Sequence, residues 1–183
     1  MHSEYIDAMV IDVGNWHDEK GVGPYVGDVW CDHPVFDAKM VWLAIGSLRS
    51  CARFCDEHVE WQRQQLNHVT DHRVQRIALH CEEMAELLDA MMRGDEVELL
   101  DGLADSLWVI NGTAAQFDLP LGEAYDEVRR SNYSKLGARA QPGGSTRLRD
   151  KGANYFKPDM EAVILCHRSK RRALDVSAER RGT

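Results

Sequence analysis

Three runs of apolar residues spaced three and four positions apart constrain the fold of this chain more than any other feature of its sequence. The first lies between Asp37 and about Leu66, with an interruption allowed near Cys55–Val59, and the second lies between Val74 and Met92. The third extends from about Glu96 to Phe117. Such spacing places apolar side chains on one face of an α-helix. No pair of strong strand patterns accompanies these runs, so the sequence predicts an all-α fold.

Residues typical of helix ends separate the runs. Asp71 is a plausible N-cap for the second helix, and Gly94 stands where a helix C-terminus favours a left-handed residue. Asp95 can then cap the third helix, and Pro120 starts a fourth helix over Leu121–Lys135. Because the second connection is so short, the second and third helices are expected to be antiparallel neighbours.

Composition divides the rest of the chain. Residues 1–36 are broken by glycines and prolines and are expected to be irregular, and residues 37–160 hold the helical domain. Residues 161–183 are expected to form a basic C-terminal tail. A chain of 183 residues can bury a core without disulfides or metals.

Charge and cysteine content exclude several classes of protein. The formal net charge of −8 argues against a nucleic-acid interface. No stretch reaches the roughly 18 apolar residues that cross a bilayer, and the N-terminus lacks the basic and apolar regions of a signal peptide. Five cysteines, an odd number, suit reduced thiols, so we expect a cytoplasmic protein without membrane contact.

Acidic residues form a stripe on each of two neighbouring helices. The stripes are Glu83 and Glu86 on the second helix, where Glu82 is a neighbouring acid, and Glu98, Asp101 and Asp105 on the third. If the stripes face each other, the carboxylates repel unless a hard cation such as Mg²⁺ neutralises them. Spacing alone favours a solvated outer face instead. The third helix, however, is apolar nearly all round, which predicts burial on several sides, where acids are costly and tend to have a function.

The acid pattern resembles a known superfamily. Glu83-x-x-Glu86 followed by an acidic pair ahead of Ser106-Leu107-Trp108 is similar to the all-α nucleoside triphosphate pyrophosphohydrolases. These include MazG-like proteins, dimeric dUTPases, dCTP pyrophosphatases and phosphoribosyl-ATP pyrophosphohydrolase. Their shared pattern is Glu-x-x-Glu on one helix and Glu-x-x-Asp on the next, binding Mg²⁺ beside a nucleotide's phosphates.

Two registers of the second motif fit this chain. The apolar run after the motif selects Asp105, but position 102 is then Gly102 where the superfamily has Glu. Glu98-x-x-Asp101 is a literal match with a less typical context. The choice among these acids stays open.

The resemblance continues beyond the acids. Asn111–Ala114, Ser131–Leu136 and Lys151–Asp159 are similar to a phage-type MazG-like subgroup, and the similarity covers about residues 73–160. It implies a four-helix MazG-like bundle that cleaves the α–β phosphate bond of a nucleoside triphosphate with Mg²⁺, or Mn²⁺ as a possible substitute. The products are a nucleoside monophosphate and pyrophosphate.

The resemblance also implies roles for individual residues. It implies metal ligands at Glu83, Glu86, Glu98, Asp101 and Asp105, catalytic roles for Glu82, Glu83 and Glu86, and nucleotide contacts at Asn111, Asn132, Lys135, Lys151 and Tyr155. By residue type alone, Lys135 can equally be a helix-end cation, and Asn111 can equally be a satisfied core amide.

Two other functions remain as alternatives. Gly102 in place of a ligand suggests a catalytically weak nucleotide-binding or regulatory module. Cys51, Cys55 and His58 share one helical side and suggest a zinc-stabilised interaction protein, although such cysteines are more often small core residues. The apolar surface of the second and third helices also predicts a homo-oligomer, a dimer or tetramer.

Overall fold

The computed structural model describes residues 38–65, 71–135 and 153–179. Within these ranges the chain forms five α-helices and no β-strand, which confirms the all-α prediction. The helices are α1 (Ala38–Gln65), α2 (His72–Arg93), α3 (Glu96–Gln116), α4 (Leu121–Tyr133) and α5 (Met160–Glu179). The irregular segment predicted for residues 1–36 lies outside the described residues.

Three helices form the first compact unit, whose described residues end at Leu119. Helix α1 packs against α2, and α2 packs against α3. The buried residues of α1 are Ile45, Ala52, Cys55 and Val59. Ile45, Ala52 and Val59 are spaced seven residues apart, which places them on the face that packs against a neighbouring helix. Helix α1 is continuous through Cys55–Val59, so the interruption allowed there does not occur.

The connection between α2 and α3 follows the predicted capping residues. The Asp71 side chain accepts a hydrogen bond from the Arg73 amide, which caps the N-terminus of α2. Gly94 ends that helix in the left-handed region at φ 68°. Asp95 then accepts from the Glu98 amide and starts α3. Gly102 contacts Leu87, Thr113 contacts His80 and Gln116 contacts Arg76, so the two helices run antiparallel, as the short connection predicts.

Helices α2 and α3 approach closely because small residues line their contact. Ala78, Ala85 and Ala90 are buried on α2, and Gly102 is buried on α3. A Cβ atom added to Gly102 would lie 3.1 Å from the Leu87 Cα atom, closer than the two backbones allow without shifting. Position 102 therefore belongs to the helix contact.

Helix α3 is less buried than its composition predicts. Its buried residues are Gly102, Val109 and Ala114. Val97 is 77% exposed, Leu100 70% and Trp108 79%. The prediction of burial on several sides is wrong for the single chain, because α2 is the one helix of this unit that packs extensively on α3.

The second unit contains α4 and α5 among its described residues, which begin at Pro120. The Ser131 hydroxyl donates to the Phe156 carbonyl at 2.8 Å, and the Asp159 amide donates to Glu127 at 2.8 Å, so residues 153–159 are tied to α4. The Asp159 carboxylate then accepts from the Ala162 amide at 2.9 Å and caps α5.

The basic C-terminal tail predicted for residues 161–183 is helical over residues 161–179, which form most of α5. Asp159 followed by Val163, Ile164 and Leu165 was the sequence signal for this helix. With α4 assigned to the second unit, a four-helix bundle is not confirmed. None of the described helices combines the length and apolar character required to span a membrane.

Candidate functional site

Glu83 is the centre of the acidic cluster on α2 and α3. Its Oε2 atom is buried and has no hydrogen-bond partner. Burial raises the pKa of Glu83 above its usual value, and the negative charges of Asp105, Glu86, Glu82 and Asp101 raise it further, in that order. The structure thus brings together predicted acids from both helices, with Asp105 the strongest neighbour of Glu83 on α3.

Glu98 lies in the first turn of α3 and is exposed. It does not contribute to the raised pKa of Glu83. It lines a cleft of about 270 Å³ together with Glu86, Asp101 and Gly102. Glu98 therefore lies at the margin of the acidic cluster, where it shares this cleft with Glu86 and Asp101.

Basic residues of α1 border the same acids, and the sequence did not single them out. A second cleft, of about 360 Å³, is lined by Arg49 and Arg53 of α1 and by Glu82 and Glu86 of α2. Arg49 lines the first cleft as well and forms a salt bridge to Asp89 at 3.3 Å. The four-residue spacing of Arg49 and Arg53 beside the apolar seam of α1 was the signal for this pair.

The part of the α2–α3 contact nearer the C-terminus of α3 contains hydrogen-bonded polar pairs. The Thr113 hydroxyl donates to the Val109 carbonyl at 2.9 Å. Because a hydroxyl has one proton, the Thr113 hydroxyl accepts a hydrogen bond from His80 Nε2 at 2.9 Å. The proton of that bond therefore belongs to His80 Nε2. Arg76 donates to the Gln116 side chain one turn further along. Polar groups at this end are satisfied within the protein.

The zinc site considered above requires Cys51, Cys55 and His58 to converge, and no group of three such side chains is placed to hold a metal ion in the described ranges. Cys51 on α1 lies near Cys55 and near Cys81 on α2, whereas His58 stacks on the Trp61 ring. Burial raises the pKa of Cys81 to about 11, and the neighbouring Cys51 contributes to this shift. All cysteines in the described ranges are free.

Three of the predicted nucleotide contacts lie together in the second unit. Lys135 donates to the Asn132 side chain at 2.6 Å and lies 5.8 Å from the centre of the Tyr155 ring. Lys151 lies outside the described residues. Asn111 is on the exposed part of α3 and donates to the carbonyl of Leu107 at 2.8 Å, so its amide nitrogen bonds to its own helix.

The acidic cluster fits a hard divalent cation by its chemistry. Its donors are carboxylate oxygens, and the buried Glu83 oxygen lacks the partner that a buried polar atom requires. Across the described ranges, no three His, Cys, Asp or Glu side chains already converge on a metal position.

Comparison with known proteins gives a match to a protein family. Residues 56–132 match the family model of phosphoribosyl-ATP pyrophosphohydrolase, which belongs to the MazG-like all-α nucleoside triphosphate pyrophosphohydrolase superfamily. The predicted resemblance is confirmed, and so is the prediction of an enzyme, since this family consists of hydrolases of phosphoric anhydrides. The match includes all the acids of the cluster and ends at Asn132. No curated protein and no solved structure gave a significant match.

Proposed function

Since residues 56–132 match a family of pyrophosphohydrolases, we propose that this protein is a Mg²⁺-dependent nucleoside triphosphate pyrophosphohydrolase. It cleaves the bond between the α and β phosphates and releases a nucleoside monophosphate and pyrophosphate. The matched family takes its name from phosphoribosyl-ATP, a derivative of ATP. The nucleoside triphosphates proposed here as substrates therefore include compounds related to ATP.

One observation carries this proposal more than any other: the buried, unpartnered oxygen of Glu83 among four further carboxylates. Folding alone does not favour such an arrangement, because an unpaired buried oxygen and repelling charges both destabilise the folded state. A divalent cation removes both costs together. Mn²⁺ has the same preference for oxygen ligands and is expected to substitute.

The residues of the cluster have distinct proposed roles. Glu83, Glu86, Asp101 and Asp105 hold the cation, and Glu98 supplies a further oxygen from the margin of the cluster. Glu82, exposed beside Glu83, accepts a proton from the attacking water. When bound, Mg²⁺ supplies charge neutralisation for the phosphates.

Arg49 and Arg53 are proposed to bind the phosphates of the leaving group. Both line the cleft beside Glu82 and Glu86, and a guanidinium matches phosphate oxygens in a bidentate geometry. The Arg49 salt bridge to Asp89 keeps that side chain at the cleft before substrate binds. Their positive charges offset the repulsion between a triphosphate and the acids.

The Asn132–Lys135–Tyr155 group is proposed to contact a phosphate or sugar oxygen of the nucleotide. Lys135 provides a compact positive charge, and Asn132 can both donate and accept. Lys151 belongs to the same proposal through the resemblance, and Asn111 stays a proposed base contact.

The alternative of a catalytically weak module rests on Gly102. The close approach to Leu87 explains this glycine by packing, since a side chain at 102 would force the two helices apart. The site proposed here draws its carboxylates from other positions, namely Glu83, Glu86, Asp101 and Asp105. The alternative predicts nucleotide binding without pyrophosphate release.

The direct test is a pyrophosphate-release assay with a panel of ribo- and deoxyribonucleoside triphosphates, with Mg²⁺ or with excess chelator. We expect equal amounts of pyrophosphate and nucleoside monophosphate for at least one substrate, and no release with chelator. Release of orthophosphate, or release unaffected by chelator, would contradict the proposal.

We also propose that the protein is a homodimer or homotetramer that acts in the cytoplasm, where triphosphates occur and free thiols persist. Support comes from the exposed apolar side chains of α3, including Trp108 and Leu100. Light scattering at micromolar protein should give at least twice the 20.8 kDa of one chain. Trp108→Glu should lower that mass, and a wild-type mass near 20.8 kDa would contradict self-association.

A further inference from the structure

Two side-chain oxygens in the described part of the chain are buried without a hydrogen-bond partner: Glu83 Oε2 and Ser106 Oγ. Glu83 already belongs to the proposed metal site. Ser106 follows Asp105 directly on α3, and nothing so far gives it a role. A buried hydroxyl normally finds a partner, so a second orphaned oxygen beside the first calls for a common explanation.

The crossing of α2 and α3 places these two residues at one level. Gly102 on α3 contacts Leu87 on α2, where an added Cβ would lie 3.1 Å from the Leu87 Cα atom. Ser106 is about one turn after Gly102, and Glu83 is about one turn before Leu87. Because the helices are antiparallel, both steps move about 6 Å in the same direction along the contact. Ser106 and Glu83 therefore lie opposite each other.

The hydroxyl of Ser106 differs from other helical hydroxyls in this protein. Ser47, Ser50 and Thr113 each donate to the carbonyl four residues earlier, at 2.9 Å in every case. This is the usual way for a hydroxyl within a helix to satisfy itself. Ser106 makes no such bond, so its proton is free to be donated across the helix contact.

We propose that Ser106 is a positioning residue for Glu83: its hydroxyl donates a hydrogen bond to the Glu83 carboxylate, directly or through one water, in the metal-loaded protein. The bond holds that carboxylate in the orientation that ligates Mg²⁺. This inference rests on the proposed function. Hydrogen-bonding partners of metal-ligating carboxylates typically change metal affinity by about 10- to 100-fold.

The test measures metal binding rather than turnover. Mn²⁺ is titrated into wild type and Ser106→Ala and followed by electron paramagnetic resonance, and the unfolding midpoint of each metal-free protein is recorded. We expect Ser106→Ala to bind Mn²⁺ about tenfold more weakly. Its metal-free unfolding midpoint should be unchanged or higher, because the substitution removes an unpaired buried hydroxyl.

A matched pair of larger residues separates the hydroxyl from the shape of the side chain. Thr and Val have nearly the same shape, but Thr keeps the hydroxyl and Val does not. The extra volume of Thr and Val should lower the Mn²⁺ affinity of both variants by a similar amount. Ser106→Thr should therefore still bind Mn²⁺ more tightly than Ser106→Val. Equal affinity of these two variants would overturn the role of the hydroxyl.

The remaining outcomes are also decisive. If wild type binds Mn²⁺ and Ser106→Ala binds it equally, this inference is overturned and the proposed function stands. If Ser106→Ala loses affinity together with metal-free stability, Ser106 is structural and the inference is again overturned. A wild type that binds no Mn²⁺ overturns this inference and the metal site of the proposed function together.

Discussion

Two parts of the α2–α3 contact differ in how their polar groups are satisfied: the acidic part midway along both helices, and the end near the C-terminus of α3. Near Thr113, a histidine and a threonine bond to each other, and the threonine also bonds to its own helix. Near Ser106, two buried oxygens have no partner, and carboxylates from both helices repel. Both parts belong to the same pair of antiparallel helices, so the difference lies in the side chains and not in the backbone.

This difference separates residues that stabilise the folded state from residues whose burial or charge destabilises it. The satisfied end needs nothing from outside the chain, and its substitution should change stability alone. The acidic part is proposed to bind a cation, so its substitution should change metal binding and activity while leaving the fold intact or more stable. Each prediction below tests one side of this division, starting with the largest effect.

Glu86→Gln should abolish hydrolysis without loss of fold. The amide keeps the shape of the side chain but not its charge, so metal affinity is lost, and activity should fall by more than about 100-fold. Removing one of several repelling charges should leave the metal-free unfolding midpoint equal to or above that of wild type. Pyrophosphate release and thermal unfolding measure the two effects. Turnover near the wild-type rate would show that α2 holds no metal site.

Gly102→Ala should destabilise the protein by about 1–3 kcal/mol, because the new Cβ would press against the backbone of Leu87. Gly46→Ala is the matched control, since a Cβ there meets no atom within 4 Å and α1 gains helix propensity. The control should be more stable by about 1 kcal/mol. Denaturant unfolding compares the two. A stabilising effect of Gly102→Ala would mean that the helices are less close than described.

Thr113→Val should cost about 1 kcal/mol of stability, because His80 loses its acceptor while the shape of residue 113 is kept. Mn²⁺ affinity should stay at the wild-type value, since the residue lies at the satisfied end. Unfolding in denaturant and Mn²⁺ titration give the two numbers. A clear loss of Mn²⁺ affinity would remove the distinction between the acidic part of the contact and the satisfied end.

The smallest effect is a pH dependence of metal-free stability from Glu83. Its pKa is raised in the folded state, so the folded protein binds this proton more tightly than the unfolded chain does. The contribution of Glu83 to stability is therefore present below its ordinary pKa and is lost as pH rises through the raised value. Glu83→Gln lacks this loss, so its stability advantage over wild type should grow with pH in that window.

The measurement is the difference in unfolding midpoint between Glu83→Gln and wild type from about pH 4 to 8 without metal. Carboxylates whose pKa values are lowered in the folded state have the opposite effect, because their contribution to folding stability is lost as pH falls. Arg73 lowers the pKa of Asp71 to about 2, and Arg130 lowers that of Glu127 to about 2. These groups are unchanged in the variant, so their effect cancels. A difference independent of pH would contradict the raised pKa.

The sequence predicted what depends on local pattern. Asp71, Gly94 and Asp95 predicted the connection between α2 and α3 because capping depends on neighbouring residues alone. The same capping logic applied to Asp159 predicts α5, but the basic residues in the second half of this segment favoured a tail instead. The short connection then implied that acids on the two helices could meet, and the charges around Glu83 bear that out.

What the sequence could not supply depends on distances between helices. Gly102 resembled a missing ligand in the sequence, and its role became clear once the position of Leu87 was known. Arg49 and Arg53 border the acids through the packing of α1, which no motif encodes. The apolar character of α3 predicted burial, but composition cannot say whether the covering surface belongs to the same chain.

The most direct measurement is an anomalous difference map from crystals grown with Mn²⁺. The proposed metal site predicts a peak within about 2.5 Å of carboxylate oxygens of Glu83, Glu86 and at least one of Asp101 and Asp105. Binding should also draw these carboxylates closer together than they are without metal. A peak at the cysteines of α1 and α2, or no peak while Mn²⁺ supports pyrophosphate release, would contradict the assignment of the acidic part of the contact as the metal site.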